Sequence, residues 1–209
     1  MSLTELPVDL PVPVDDGTAD HLPGLRVPAV QLASAAGRLV DLGALGPGRT
    51  VLYCYPMTGR PDRPVPQAWD AIPGARGCTP ESCGFRDHAR DLENLGARIF
   101  GVSVQATEDQ QEAAERLQLP FELLSDRRLE LASALRLPTF QVPADLALLL
   151  GLHMKPAPCD EIQEEGAVTL LKRLTMVVRD GVIERVFYPV FPPDRHAEEV
   201  LRWLGSAAG

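Results

Sequence analysis

Apolar positions come in short blocks set apart by glycine and proline. Residues 50–55 read Thr-Val-Leu-Tyr-Cys-Tyr, β-branched or aromatic nearly throughout and stopped by Pro56, which predicts a buried strand. Residues 98–104 predict a second buried strand and residues 121–124 a short third. Between the first two the spacing changes to threes and fours. Phe85, His88, Ala89, Leu92 and Leu95 predict one helix over about 79–95, ending at Gly96. Thr107 reads as the cap of a helix reaching about Leu117, with Glu108, Asp109 and Glu112 favouring its positive end. Residues 127–135 predict a short helix stopped near Pro138.

Two hairpins frame this alternation. Residues 25–42 surround the turn Ala36-Gly37-Arg38, and residues 170–178 and 182–188 flank Arg179-Asp180-Gly181. A last amphipathic helix opens at Asp194, with Ala197, Val200, Leu201 and Leu204 on one face. The order ββ-β-α-β-α-β-α-(insert)-β-β-α predicts an α/β fold, a central mixed sheet flanked by helices. Three stretches break the rhythm. Residues 1–22, rich in Pro and Asp, predict an extended N-terminal arm with little core of its own. Residues 57–77 predict a long Gly/Pro/Arg loop, of a length that is usually functional or mobile. Residues 141–168 read as inserted: an apolar piece, a Pro-rich piece, then the acidic Glu161, Glu164 and Glu165 as a solvated face. The expected organisation is the arm at 1–22 and one domain at 23–209, with insertions at about 57–76 and 141–168.

Composition narrows the function. An apolar fraction of 45% suits a real core, and a net charge of −9 argues against nucleic acid or an anionic membrane surface as partner. No apolar run approaches the roughly 20 residues of a membrane span. The first 20 residues hold no Lys or Arg and no apolar core region, so no secretory signal is expected and a cytoplasmic location is. Four cysteines then point to redox chemistry or metal. Their spacings of 24, 5 and 76 lack the close pairs of a zinc site, and neither a metal nor a cofactor is expected.

The densest chemistry lies in Gly77-Cys78-Thr79-Pro80-Glu81-Ser82-Cys83-Gly84-Phe85-Arg86-Asp87. Thr79 and Pro80 are helix-start signals, so Cys78 is expected at or just before a helix N-terminus. Free N–H groups and the positive end of the dipole favour thiolate there, the nucleophilic form. Cys54, in mid-strand, reads as core. Cys159 reads as a surface thiol, or else as an alternative partner for Cys78. Lys172 reads as plain solvent contact. His21, His88, His153 and His196 are scattered and read as solvated or packed.

Taken together, residues 24–204 resemble a peroxiredoxin of thioredoxin-like fold, most of all the Q-type (bacterioferritin-comigratory) branch. Val51-Leu52-Tyr53-Cys54-Tyr55-Pro56 is similar to the strand entering that family's active-site loop. The Cys78 segment is similar to its peroxidatic cysteine followed five residues later by a resolving one. Gly101-Val102-Ser103, Leu119-Pro120-Phe121 and Leu123-Leu124-Ser125-Asp126 match later landmarks, and Arg173-Leu174-Thr175-Met176-Val177-Val178 resembles the strand with the active-site arginine. The resemblance implies a thiol peroxidase acting on hydrogen peroxide and organic hydroperoxides. Cys78 attacks, Cys83 resolves, Arg173 supplies a fixed cation, Glu81 holds it, and Pro56 shields the sulfur. It also implies a thioredoxin-like dithiol as reductant and a monomer or weak homodimer. Runner-up readings are a redox sensor with poor turnover and a thiol–disulfide oxidoreductase, the latter weakened by the absence of C-x-x-C.

The chain departs from the family's Pro-x-x-x-Thr-x-x-Cys. Pro56 and Cys78 are 22 apart, Ala75 stands at the threonine's place, and Met176 replaces a common Phe. If the intervening residues loop out, Thr58 is expected to fold back and supply the hydroxyl. Geometry adds a condition. On an intact helix, residues five apart have Cα atoms about 8–9 Å apart, beyond the roughly 7 Å a disulfide allows. A Cys78–Cys83 bond therefore requires the first turns to unwind, which Gly84, a poor helix former, eases.

Overall fold

Residues 6–152 and 166–207 are described by the computed structural model. Cys159, His153 and the acidic cluster Glu161, Glu164 and Glu165 lie outside the described residues. The chain runs β1 (Gln31–Ser34), β2 (Leu39–Asp41), β3 (Arg49–Cys54), α1 (Gln67–Asp70), α2 (Cys78–Asp87), α3 (Ala89–Asn94) and β4 (Ala97–Ser103). It continues with α4 (Thr107–Leu117), β5 (Glu122–Ser125), α5 (Glu130–Leu135), β6 (Thr139–Pro143), α6 (Ala144–Leu149), β7 (Ala167–Leu171), β8 (Leu174–Arg179), β9 (Val182–Phe187) and α7 (His196–Ser206).

Seven strands form one mixed sheet in the order β2-β1-β5-β4-β3-β8-β9. Strands β3, β4 and β5 are parallel; β8 and β9, and β1 and β2, add antiparallel edges. Period-two alternation splits the central strands between two cores. Val51, Tyr53 and Tyr55 join Ile99, Leu123 and Val177 on the face covered by α2, α3, α4 and α7. Leu52 and Cys54 join Phe100, Val102, Leu124 and Met176 on the face covered by α5, α6 and Trp69. The α/β fold with helices on both faces is therefore as expected, and Cys54 is a core residue.

Several local expectations change. The single helix over 79–95 is two, because His88 (φ −101°, ψ 6°) leaves helical geometry between α2 and α3. Thr79 is not its cap. Cys78 is the first helical residue, and the N-cap is Gly77 at φ +109°, without a side-chain bond. Likewise Thr107 is the first residue of α4, and the cap position falls on Ala106. The strand expected over 170–178 breaks at Lys172 and Arg173. β7 pairs with β6 in a separate two-stranded sheet, while β8 joins the main one. The stretch 141–168 thus contributes regular structure, the β6–β7 ribbon with α6.

Residues 57–77 are not structureless either. Helix α1 drives Trp69 into the core at 3% exposure, with its ring 6.2 Å from that of Phe140 on β6. Residues 6–22 hold no helix or strand, yet Ala19 and Leu22 belong to the main core while Val8 and Val14 are exposed. Asp16 accepts from Lys172 Nζ at 2.6 Å and from the Tyr188 hydroxyl at 2.8 Å, so Lys172 is ion-paired, not merely solvated.

Candidate functional site

Backbone register brings the site together. Cys54 on β3 stands opposite Leu174 on β8, so Arg173 lies just beyond the end of β3, alongside Tyr55. Residues Tyr55, Pro56, Met57 and Thr58 leave that strand end fully buried. The N-terminus of α2 arrives at the same place. A left-handed residue is needed to make that entry, and Gly77 fits for a second reason. A Cβ there would lie 2.3 Å from Pro193 Cγ and 3.0 Å from Leu6 Cδ2.

At the junction, Arg173 Nη2 donates to Cys78 Sγ at 3.1 Å. The same nitrogen reaches the Ala75 and Arg76 carbonyls, each at 3.3 Å. Nη1 is ion-paired with Glu81 Oε2. Cys78 and Arg173 are each 3% exposed and Glu81 is fully buried. The pair is one-armed: among the described residues, Glu81 Oε1 and Arg173 Nε have no partner. Three carbonyl and carboxylate oxygens thus fix the guanidinium with one nitrogen aimed at sulfur, a geometry a lysine cannot copy.

Burial pushes the Cys78 thiol above its ordinary value. The Arg173 guanidinium pulls against this, as does the Met57 N–H, while the Glu81 carboxylate adds to the rise. The helix start, expected to favour thiolate, thus works against the burial of a sulfur almost wholly removed from water. Thiolate formation depends on the arginine. For Arg173 itself burial opposes the charge, but Cys78 and Glu81 outweigh it and keep the guanidinium charged. Burial pushes the Glu81 carboxyl up, and Arg173 restrains it.

Cys83 and Thr58 stand apart from this cluster. Cys83 lies on the same unbroken α2, half-buried near Arg86; burial pushes its thiol up and Arg86 moderates that. Five residues of helix set it about 7.5 Å along the axis and about 140° around from Cys78. Both thiols are free. Among the described residues no hydrogen bond joins Thr58 to Cys78 Sγ. Its hydroxyl donates to Gln105 Oε1 at 3.1 Å, its N–H donates to the same oxygen at 2.8 Å, and Gln105 Nε2 returns a bond to its carbonyl at 3.2 Å. That clasp ties the loop after β3 to the end of β4, and it engages the hydroxyl that was expected at the sulfur with Gln105 instead.

A cavity of about 20 Å³ opens at the sulfur, lined by Met57, Val65, Trp69, Arg76, Cys78 and Thr79 among others. That is room for one or two water-sized groups. Val65, Trp69 and Arg76 all come from the stretch between Pro56 and Cys78, and sequence reasoning missed them. Trp69 was the available signal: a lone tryptophan in a Gly/Pro/Arg loop has to be buried somewhere.

The AhpC/TSA family model matches residues 71–183, more than half of the chain. A chloroplastic peroxiredoxin Q of Sedum lineare is 28% identical over 184 residues, covering 88% of this chain and 77% of that protein. The peroxidoxin BcpB of Mycobacterium tuberculosis superposes with a TM-score of 0.62 at 24% identity, over 89% of this chain and 98% of that one. The bacterioferritin comigratory protein of Xanthomonas campestris, solved in a study of its alkyl peroxide reduction, gives 0.62 at 20% identity, over 96% and 100%. These superpositions establish the thioredoxin-like peroxiredoxin fold.

Proposed function

The chain belongs to the AhpC/TSA family, on its peroxiredoxin Q side, and is a thiol-dependent peroxidase; from that premise we propose that Cys78 is the attacking thiol, Arg173 its activating cation and Cys83 the resolving thiol. The single observation that carries the assignment is the buried contact of Arg173 Nη2 with Cys78 Sγ at 3.1 Å.

The Cys78 thiolate attacks one oxygen of the peroxide. An S–O bond forms and the O–O bond breaks; sulfur is oxidised to sulfenic acid, and the leaving oxygen departs as alkoxide or hydroxide and takes up a proton. Arg173 counters negative charge before the attack on sulfur and afterwards on the departing oxygen. Glu81 keeps the guanidinium in place, and Pro56 helps close the sulfur off from solvent. The Cys83 thiol then displaces water from the sulfenic acid, giving a Cys78–Cys83 disulfide. An external dithiol of thioredoxin type reduces it by exchange.

Disulfide formation requires α2 to open between the cysteines. That turn carries the Glu81–Arg173 pair and the 3.2 Å contact of Ser82 Oγ with the Tyr53 hydroxyl. Opening it therefore dismantles the cation site that served the first step, so attack and resolution exclude one another in time. The experiment is mass spectrometry after one equivalent of hydrogen peroxide. The wild type should lose two hydrogens and yield a Cys78–Cys83 cross-link, whereas Cys83→Ser should gain one oxygen on Cys78. An unmodified Cys78 would sink the assignment, and a link to Cys159 would remove Cys83 from it.

Gly84 tests the opening step. Its virtual Cβ meets only Ala197 Cβ at 3.4 Å and the Asp194 carbonyl at 3.5 Å, so alanine fits with small adjustment. Alanine favours helix by about 1 kcal/mol over glycine. Gly84→Ala should slow disulfide formation on the order of fivefold and leave sulfenic acid formation at its wild-type rate, both read by rapid-quench mass analysis. Equal disulfide rates would mean that α2 does not unwind before the bond forms.

A further inference from the structure

The cavity at Cys78 is walled from one side by the chain's own lengthened loop. Val65, Trp69 and Arg76 fall within the 21 residues separating Pro56 from Cys78. The expected loop for this kind of site is six residues long, too short to carry a helix or a buried tryptophan. Trp69 is packed in place. Its backbone N–H donates to the Pro66 carbonyl at 2.9 Å, its ring lies 6.2 Å from Phe140, and it is 3% exposed. Its neighbour Asp70 faces Arg76 Nη1 at 3.6 Å across the same loop. Arg63, lower in the loop, lies against Gly151 beyond α6. The wall is thus braced at both ends by the β6–α6 region.

We propose that Trp69, with Val65, limits the size of the peroxide that reaches Cys78, so that this chain favours hydrogen peroxide over hydroperoxides with bulky branched or aryl groups. The inference rests on the peroxidase reading above and adds its substrate preference. A space of about 20 Å³ takes the two oxygens of hydrogen peroxide. An aryl or tert-alkyl group entering the same space would press on Val65 and Trp69, which line it, and shape exclusion of this sort discriminates by about 10–200-fold. Val65 and Trp69 are bulky apolar side chains that the loop contributes to this lining, beside the charged Arg76.

The test measures second-order rate constants for Cys78 oxidation in the full-length reduced protein, with hydrogen peroxide and with cumene hydroperoxide. The wild type should prefer hydrogen peroxide by at least about tenfold, and Trp69→Ala should raise the cumene-to-hydrogen-peroxide rate ratio by about tenfold or more. Val65→Ala removes less volume and should raise it in the same direction by a smaller factor, which keeps the test alive if Trp69→Ala does not fold. A wild type that prefers cumene hydroperoxide, or a ratio unmoved in the folded variants, overturns the size limit while leaving the peroxidase reading intact. Cys78 inert toward both peroxides overturns that reading, and this inference with it.

Discussion

Cys78→Ser is expected to abolish peroxide consumption, a fall on the order of 10⁴-fold or more in an assay coupled to a thioredoxin-type reductant. The hydroxyl would occupy nearly the sulfur's place, so Arg173 would still find an acceptor and the fold should survive. What is lost is ionisation. A thiol pushed up by burial and drawn back by Arg173 is still within reach of the thiolate state, whereas an alcohol in the same place is not. Oxygen is also a poor nucleophile toward peroxide oxygen. Thermal unfolding of the variant close to wild type, with activity gone, is the expected pair of results. Turnover near wild type would place the reactive thiol elsewhere.

Arg173→Met is expected to be the next most damaging change, lowering the rate of Cys78 oxidation by about 10²–10³-fold, the usual effect of deleting one donor aimed at developing charge. The pH profile carries the sharper test. Arg173 pulls the Cys78 thiol down against burial, so its removal sends the thiol further up. The variant's rate should therefore start to climb at a higher pH than the wild type's. An unshifted profile would mean the arginine does not govern ionisation. Stability falls as well, because Glu81 is left buried without its cation, at a cost of about 3–5 kcal/mol unless it takes up a proton. Arg173→Met combined with Glu81→Gln removes the uncompensated carboxylate. That double variant should recover part of the stability and none of the rate, which separates catalysis from folding.

Reading the chain as a string recovered the parts governed by local rules. Short, nearly continuous apolar runs located β3 and β4, which are buried on both faces, the Arg179-Asp180-Gly181 turn located β9, and threes-and-fours spacing located the covering helices, each of which turns one face to a core. Cys78 was legible since glycine, proline and the following apolar positions all mark a helix start. The misreadings share one cause, tertiary placement that leaves no periodic trace. Residues 170–178 look like one strand because both halves are apolar; only the change of sheet at Lys172 and Arg173 divides them. That division sets Arg173 beyond the end of β3 instead of within a ladder. The partner of Thr58 lies 47 residues away at Gln105, a distance no spacing rule reaches. Residues 57–77 read as a loop because Gly, Pro and Arg dominate them, yet Trp69 with Met57 and Ala75 ties them to the core.

Trp69 has one more consequence. The chain has two tryptophans. One walls the cavity at Cys78, and the other, Trp203, lies at the far end of α7 against Phe187 and Arg49. The molecule therefore carries an optical gauge of its own chemistry. Oxidation of the sulfur, and then the opening of α2, change the polarity around the Trp69 indole while Trp203 supplies a constant background. Stopped-flow emission should show two successive phases on mixing with peroxide. Cys83→Ser should retain the first and lose the second, and Trp203→Phe should retain both. Two phases that persist in Trp69→Phe would place the reporting indole at Trp203 instead.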